Sequence, residues 1–139
     1  MANFLSLQMT PPTYPVSGPG IGGRAIKTER GSFSLTAATP VADTIQLFKL
    51  HPRFRVTGGY IKGNLGTGVT LDVGDAGDVD RYFALGVAAT GTVVDAMAAT
   101  GVDYLTAAYT PVFATIRGAT TAATGDLVVC LFGFVEEPA

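Results

Sequence analysis

The sequence is poor in the side chains that most often carry chemistry. It holds one cysteine, Cys130, one histidine, His51, and no tryptophan. A single cysteine excludes an intrachain disulfide, so folding needs no oxidising compartment. Cys130 lies within LVVCLFGFV, where its neighbours favour a small buried hydrophobe over a reactive thiol. One histidine leaves too few nitrogen and sulfur ligands for a zinc cage, so no metal site is expected. His51 stands in KLHPRF, directly before a proline, at a strand end or turn. No serine occupies a G-x-S-x-G elbow, and no nucleophile–histidine pair is legible. No catalytic residue is therefore assigned, and no cofactor.

Charge is scarce as well. Charged residues make up 14% of the chain, against about 25% in ordinary domains. The net charge of −2 and nine scattered basic residues give no footprint for direct nucleic-acid binding. Most of the positive charge falls in residues 24–62, at Arg24, Lys27, Arg30, Lys49, Arg53, Arg55 and Lys62, which predicts a mildly basic face. No apolar run approaches the roughly 20 residues of a membrane helix. The first residues lack the basic start and apolar core of a signal peptide. The expectation is a soluble product of a cytoplasm, with no membrane partner.

What the chain does hold is sheet and turn. At 139 residues with 47% hydrophobic content it has the size and apolar mass of one domain with a real core. In Arg55–Val87, Val56, Tyr60, Val69, Leu71, Val73, Tyr82, Ala84 and Gly86 recur at or near a period of two, with GG, GTG and DAG as turns. Further short apolar runs centre on Ala25–Lys27, Ser32–Thr36, Thr44–Leu50, Tyr104–Tyr109, Val112–Arg117 and Leu127–Val135. The last, apolar on both faces, reads as a central strand covered on each side. Thr92–Thr100, with its alanines and with Val93, Val94 and Met97 at helical spacing, predicts one short helix. Spacings of this kind predict an all-β fold, a jelly-roll-like antiparallel β-sandwich of about eight strands over residues 24–139.

Residues 1–23 differ from the rest. Pro11, Pro12, Pro15 and Pro19 are half of the eight prolines, and glycines cluster toward Gly23. Proline offers no amide hydrogen for a ladder, so an extended N-terminal arm is expected. Phe4, Leu5, Leu7 and Tyr14 are too apolar for a solvated linker and are the predicted intersubunit anchors. GPGIGG (18–23) follows prolines and opens no helix, so it is not a dinucleotide loop.

Asp72, Asp75, Asp78 and Asp80 form the one dense acidic group. Their spacing fits no EF-hand loop, and a closing glutamate is absent. The reading here is a turn in which aspartates accept from backbone amides and Gly74 and Gly77 take positive φ, with Asp80 placed to pair locally with Arg81.

GGYIKGNLGTGVTLDVGDAGDVDRYF and the closing GDLVVCLFGFVE resemble phrases in the small jelly-roll cement (decoration) proteins of tailed bacteriophages. The resemblance extends over residues 24–139. It implies a non-enzymatic protein on the capsid surface that binds the major capsid protein across subunits and stabilises the head. It also implies a homo-oligomer, for which a two-fold dimer is preferred to a trimer because two-fold closure is commonest. The rival expectation is a non-catalytic receptor- or carbohydrate-binding β-sandwich.

Overall fold

The computed structural model describes residues 26–86, 93–95 (backbone alone) and 97–136. The arm residues 1–23, with Phe4, Leu5, Leu7 and Tyr14, lie outside the described residues. Eight strands follow in order: β1 (Lys27–Leu35), β2 (Thr44–Leu50), β3 (Phe54–Asn64), β4 (Thr70–Asp75), β5 (Asp78–Gly86), β6 (Val93–Asp95), β7 (Thr110–Arg117) and β8 (Gly125–Val135). They form two four-stranded sheets, β1-β8-β3-β6 and β2-β7-β4-β5, with every pairing antiparallel. The chain passes from sheet to sheet at almost every connection. That is the winding of a jelly roll, as the turn spacing predicts.

Alternation decides which side chains meet between the layers. Leu127, Val129 and Leu131 of β8, Leu71 and Val73 of β4, and Val112, Ala114 and Ile116 of β7 are all fully buried in one cluster. β8 is central in its sheet, as expected. Of its outward residues Cys130 is buried, Val128, Phe132 and Phe134 are half-buried and Asp126 is exposed, so the expected cover is complete on the inner face and partial on the outer.

Several local expectations are corrected. Lys27 and the run Ser32–Leu35, expected as two separate strands, belong to one strand, β1. Gly31 between them keeps the strand unbroken because the opposite sheet packs on its α-carbon, where a methyl group would come within 2.8 Å of Leu47 Cβ. Gly58 and Gly59 are not a turn but lie inside β3. A bulge displaces Thr57 from the ladder, its hydroxyl donates to the Phe132 carbonyl at 3.1 Å, and the Phe132 ring lies against Gly58. The row Tyr82–Ala84–Gly86 does not keep its period. Bulges in β5 bury both Tyr82 and Phe83 and leave Ala84 and Leu85 exposed.

The short helix expected over Thr92–Thr100 is not formed. Val93–Asp95 is instead β6, paired with Ile61–Gly63. A two-turn helix is marginal alone, whereas two consecutive valines suit a strand that completes an existing ladder. Nor is Tyr104–Tyr109 a strand. Leu105 makes a single bridge to Arg55, and the segment runs beside the start of β3, where the Val56 amide donates to the Tyr104 carbonyl and the Thr106 amide to the Phe54 carbonyl. It is pinned by the buried Thr106, whose hydroxyl donates to the His51 carbonyl at 2.6 Å and accepts from the Phe54 amide at 2.9 Å.

The two faces of β8 set a direct test of this architecture. Leu131→Ala, in the filled core, is expected to cost about 2–5 kcal/mol. Val128→Ala, on the half-open outer face, is expected to cost about 1 kcal/mol or less. Urea denaturation of the two variants checks the ratio, and equal losses would place the core elsewhere.

Candidate interaction site

Antiparallel register builds a cleft on the outer face of the β1-β8-β3-β6 sheet. Arg30 of β1 and Tyr60 of β3 both pair with Cys130 of β8, so the three lie in one row. The next row runs Ser32–Val128–Lys62, and the one after it Ser34–Asp126–Asn64. Side chains in a row point to the same face. Small residues on the middle strand therefore stand between long ones on its neighbours. The result is a cleft of about 360 Å³ lined by Arg30, Tyr60, Lys62, Gly63, Asn64, Asp126 and Val128.

The charges of this cleft are unevenly met. Asp126 accepts from the Ser34 hydroxyl at 2.7 Å. Arg30 and Lys62, both exposed, have no acidic partner among the described residues. The other described arginines are all engaged. Arg81 binds Asp75 and Arg117 binds Asp72, each at 2.8 Å, and Arg55 bridges Asp103 and Glu136. The Arg53 side chain donates to the Glu136 carbonyl at 3.0 Å. The basic face expected from residues 24–62 is thus divided: Arg30 and Lys62 share this cleft, Lys49 belongs to the other sheet, and Arg53 and Arg55 hold the C-terminal end.

The acidic group around the β4–β5 hairpin is two different things. Asp72 and Asp75 are buried and structural. Asp75 Oδ1 accepts from the Gly77 and Asp78 amides at 2.9 and 3.1 Å, as the turn reading expects. Its other oxygen takes Arg81 Nε at 2.8 Å and the Tyr82 hydroxyl at 3.4 Å. The Arg81 guanidinium lies 3.9 Å from the centre of the Tyr104 ring, so its exposed face is covered too. Burial pushes the Tyr82 phenol well above its ordinary pKa, which keeps it a neutral donor. Asp72 accepts from Arg117 and, at 2.9 Å, from the Leu85 amide. That contact holds Leu85 at a φ of 48°, with its side chain 66% exposed.

Gly74 and Gly77 do not take positive φ, contrary to expectation; among the described residues the glycines that do are Gly66, Gly68, Gly118 and Gly125. Gly74 is required for another reason. A side chain there would collide with the Asp78 carbonyl and the Val79 backbone across the hairpin. Asp80 does not pair with Arg81 either, since Asp75 takes that guanidinium. Asp80 instead shares a hydrogen bond with Asp78, and this contact, with some desolvation and the nearby Asp78 and Asp72 charges, raises its pKa.

Of the two scarce chemical residues, only Cys130 belongs to the cleft's rows, between Arg30 and Tyr60. His51, in the β2–β3 turn, meets Tyr109 edge-on with ring centres 5.2 Å apart, and its Nδ1 lies 2.8 Å from the Pro52 carbonyl. Cys130 is buried in the middle strand. Sequence reasoning missed Arg30, Lys62, Asn64 and Asp126 as a group. The alternation of residues 60, 62 and 64 puts them on one face, but joining them to Arg30 and Asp126 requires the register of β8.

Three outcomes are expected for the hairpin. Asp75→Ala leaves Arg81 without its partner in a half-covered site and should cost about 3 kcal/mol in chemical denaturation. Millimolar calcium should leave the melting temperature unchanged, because both oxygens of Asp72 and of Asp75 are occupied by protein donors. The raised pKa of Asp80 favours the folded state at low pH, and that contribution is lost as pH rises through the folded value. Asp80→Asn should therefore raise the melting temperature near pH 7, with the gain fading as the solution is acidified.

No family model matches the chain, and no curated protein matches its sequence. Solved structures do match its fold. A chain of the capsid asymmetric unit of cyanophage Pam1 superposes with a TM-score of 0.72 at 22% identity, over 97% of this chain and 100% of that one. A chain from the capsid of Ralstonia phage GP4 gives a TM-score of 0.67 at 22% identity, over 81% of this chain and 86% of that one. At this level of identity the likeness is one of fold: the chain has the jelly-roll sandwich of these two capsid chains.

Proposed function

We propose that this chain is a structural, non-enzymatic component of a bacteriophage virion, a cement protein that binds across capsid subunits on the head surface. The observation that carries the reading is the match to a chain of the Pam1 capsid, which spans nearly the whole of both chains. The residues agree with it. Side chains suited to catalysis are few, and the two carboxylates best placed for chemistry are held in structural ion pairs. The polar groups that remain unmet face outward, which suits a protein that works by contact.

The arm belongs to this proposal. Residues 1–23 hold no charged residue, and β1 begins at Lys27 on the edge of its sheet. A fully extended segment of that length reaches about 75 Å. A compact chain of this size has a radius of gyration of about 14 Å. The arm therefore has the reach to cross a neighbouring subunit. Phe4, Leu5, Leu7 and Tyr14 would be its anchors, each worth roughly 1.5–3 kcal/mol when buried. Ordering the backbone costs about 1–2 kcal/mol per residue, and prolines reduce that cost by restricting the free arm beforehand. The net gain per copy is small, and repetition over a symmetric shell multiplies it.

Heads assembled without this chain test the proposal. The purified protein should sediment with them and raise the temperature at which they rupture. Deletion of residues 2–23 should leave the sandwich folded by circular dichroism and lower its occupancy at least tenfold. A full-length chain that neither sediments with heads nor stabilises them would overturn the reading.

A further inference from the structure

Two features of this molecule carry opposite charges that form no ion pair among the described residues. Arg30 and Lys62 flank the outer cleft of the β1-β8-β3-β6 sheet without an acidic partner among the described residues. Asp78 and Asp80 lie two residues apart on β5 and so on one face of it, and neither is in an ion pair among the described residues. Arg81 on the same strand and Arg117 on β7 are committed to Asp75 and Asp72. β5 is an edge strand of the β2-β7-β4-β5 sheet, so the two features belong to opposite layers with the core between them. One molecule cannot bring them together.

We propose that the chain associates with a second copy of itself by seating the Asp78–Asp80 edge of one copy in the Arg30–Lys62 cleft of the next. The cleft is positive on balance, with two cations against the one carboxylate of Asp126, which accepts from Ser34. A pair of adjacent carboxylates repels itself until cations approach, and the cleft offers an arginine and a lysine on one face. Arginine presents a planar fork suited to a carboxylate, and lysine a compact charge beside it. The cleft volume of about 360 Å³ exceeds what two carboxylates and a few bridging waters, each about 30 Å³, require. Asp80 is exposed on the strand edge, so it can enter the cleft without rearrangement of the sandwich.

The geometry of such a contact differs from the two-fold dimer expected from frequency alone. Donor and acceptor patches are different surfaces, so the interface is heterologous. Head-to-tail contacts of this kind close as rings when the rotation permits. A ring of three or more copies, each giving its β5 edge and receiving another, follows from the placement of the charges. The contact needs no capsid to form, so its test is independent of head binding.

Sedimentation velocity of the full chain at tens of micromolar provides that test. At low salt the wild type should sediment as an oligomer of at least three copies, and its association should weaken at least tenfold in 0.5 M salt. Asp78→Lys with Asp80→Lys, and separately Arg30→Glu with Lys62→Glu, should each yield a folded monomer, with a melting temperature no lower than that of the wild type. The quadruple variant, which exchanges the two charge pairs, should recover the oligomer, and that recovery excludes misfolding as the cause of the losses. A wild type that is monomeric throughout, or paired reversals that keep its sedimentation coefficient, would overturn the proposal. Reversals of Arg30 and Lys62 that reduce binding to heads but leave self-association intact would also overturn it, and would assign the cleft to an acidic surface of the capsid instead.

Discussion

The placement of β8 between β1 and β3 is the constraint on which the rest of the structure depends. Its register sends Leu127, Val129 and Leu131 into the core and turns Asp126, Val128 and Phe132 outward. A slip of one residue would exchange those sets, exposing three large aliphatic side chains and burying a carboxylate. The same register sets Arg30 and Tyr60 on either side of Cys130, and Ser32 and Lys62 on either side of Val128. The outer cleft is therefore a consequence of the pairing that fills the core. Fold and surface chemistry are set by one alignment of strands.

β4 imposes the second constraint by carrying charge into a central strand. Asp72 and Asp75 are nearly as buried as the core around them, and each is matched to an arginine and to backbone amides. Such pairs add little net stability over an apolar core, because desolvation offsets much of the attraction. They fix geometry. Asp75 determines the tight hairpin and holds Arg81 on the Tyr104 ring, while Asp72 fixes the bulge that turns Leu85 outward. The acidic pair at Asp78 and Asp80 is left on the rim without an ion pair among the described residues, since Arg81 and Arg117 are used in this framework.

The sheets were legible from the sequence because alternation and turn chemistry are local signals. β2, β3, β4, β7 and β8 fall where the apolar runs place them. The misreadings occur where tertiary contact overrides local pattern. Gly31 looks like a break and is a close approach between layers. Gly58 and Gly59 look like a turn and are paired in the β3 ladder just after a bulge at Thr57, with the Phe132 ring against Gly58. Val93 and Val94 carry helical spacing but complete an edge ladder. The pairing of Arg81 was misassigned for a related reason: adjacency in sequence put it beside Asp80, whereas the hairpin brings Asp75 to it. The cleft could not be read at all, since Arg30 and Asp126 are joined to Tyr60 and Lys62 through strands far apart in the chain.

A sandwich whose interior is complete and whose unmet polar groups all face outward is suited to act through its surface. Its fold matches a chain of the Pam1 capsid over 97% of its length, and the outer charges among the described residues are divided between two layers. Electron cryo-microscopy of intact virions is the most direct test of the claim that this protein serves the phage head by contact. The expected density is the two-sheet sandwich on the outside of the shell, touching at least two capsid subunits at each position it occupies. Its absence from the particle, or a position in contact with a single capsid subunit and no neighbour, would contradict that claim.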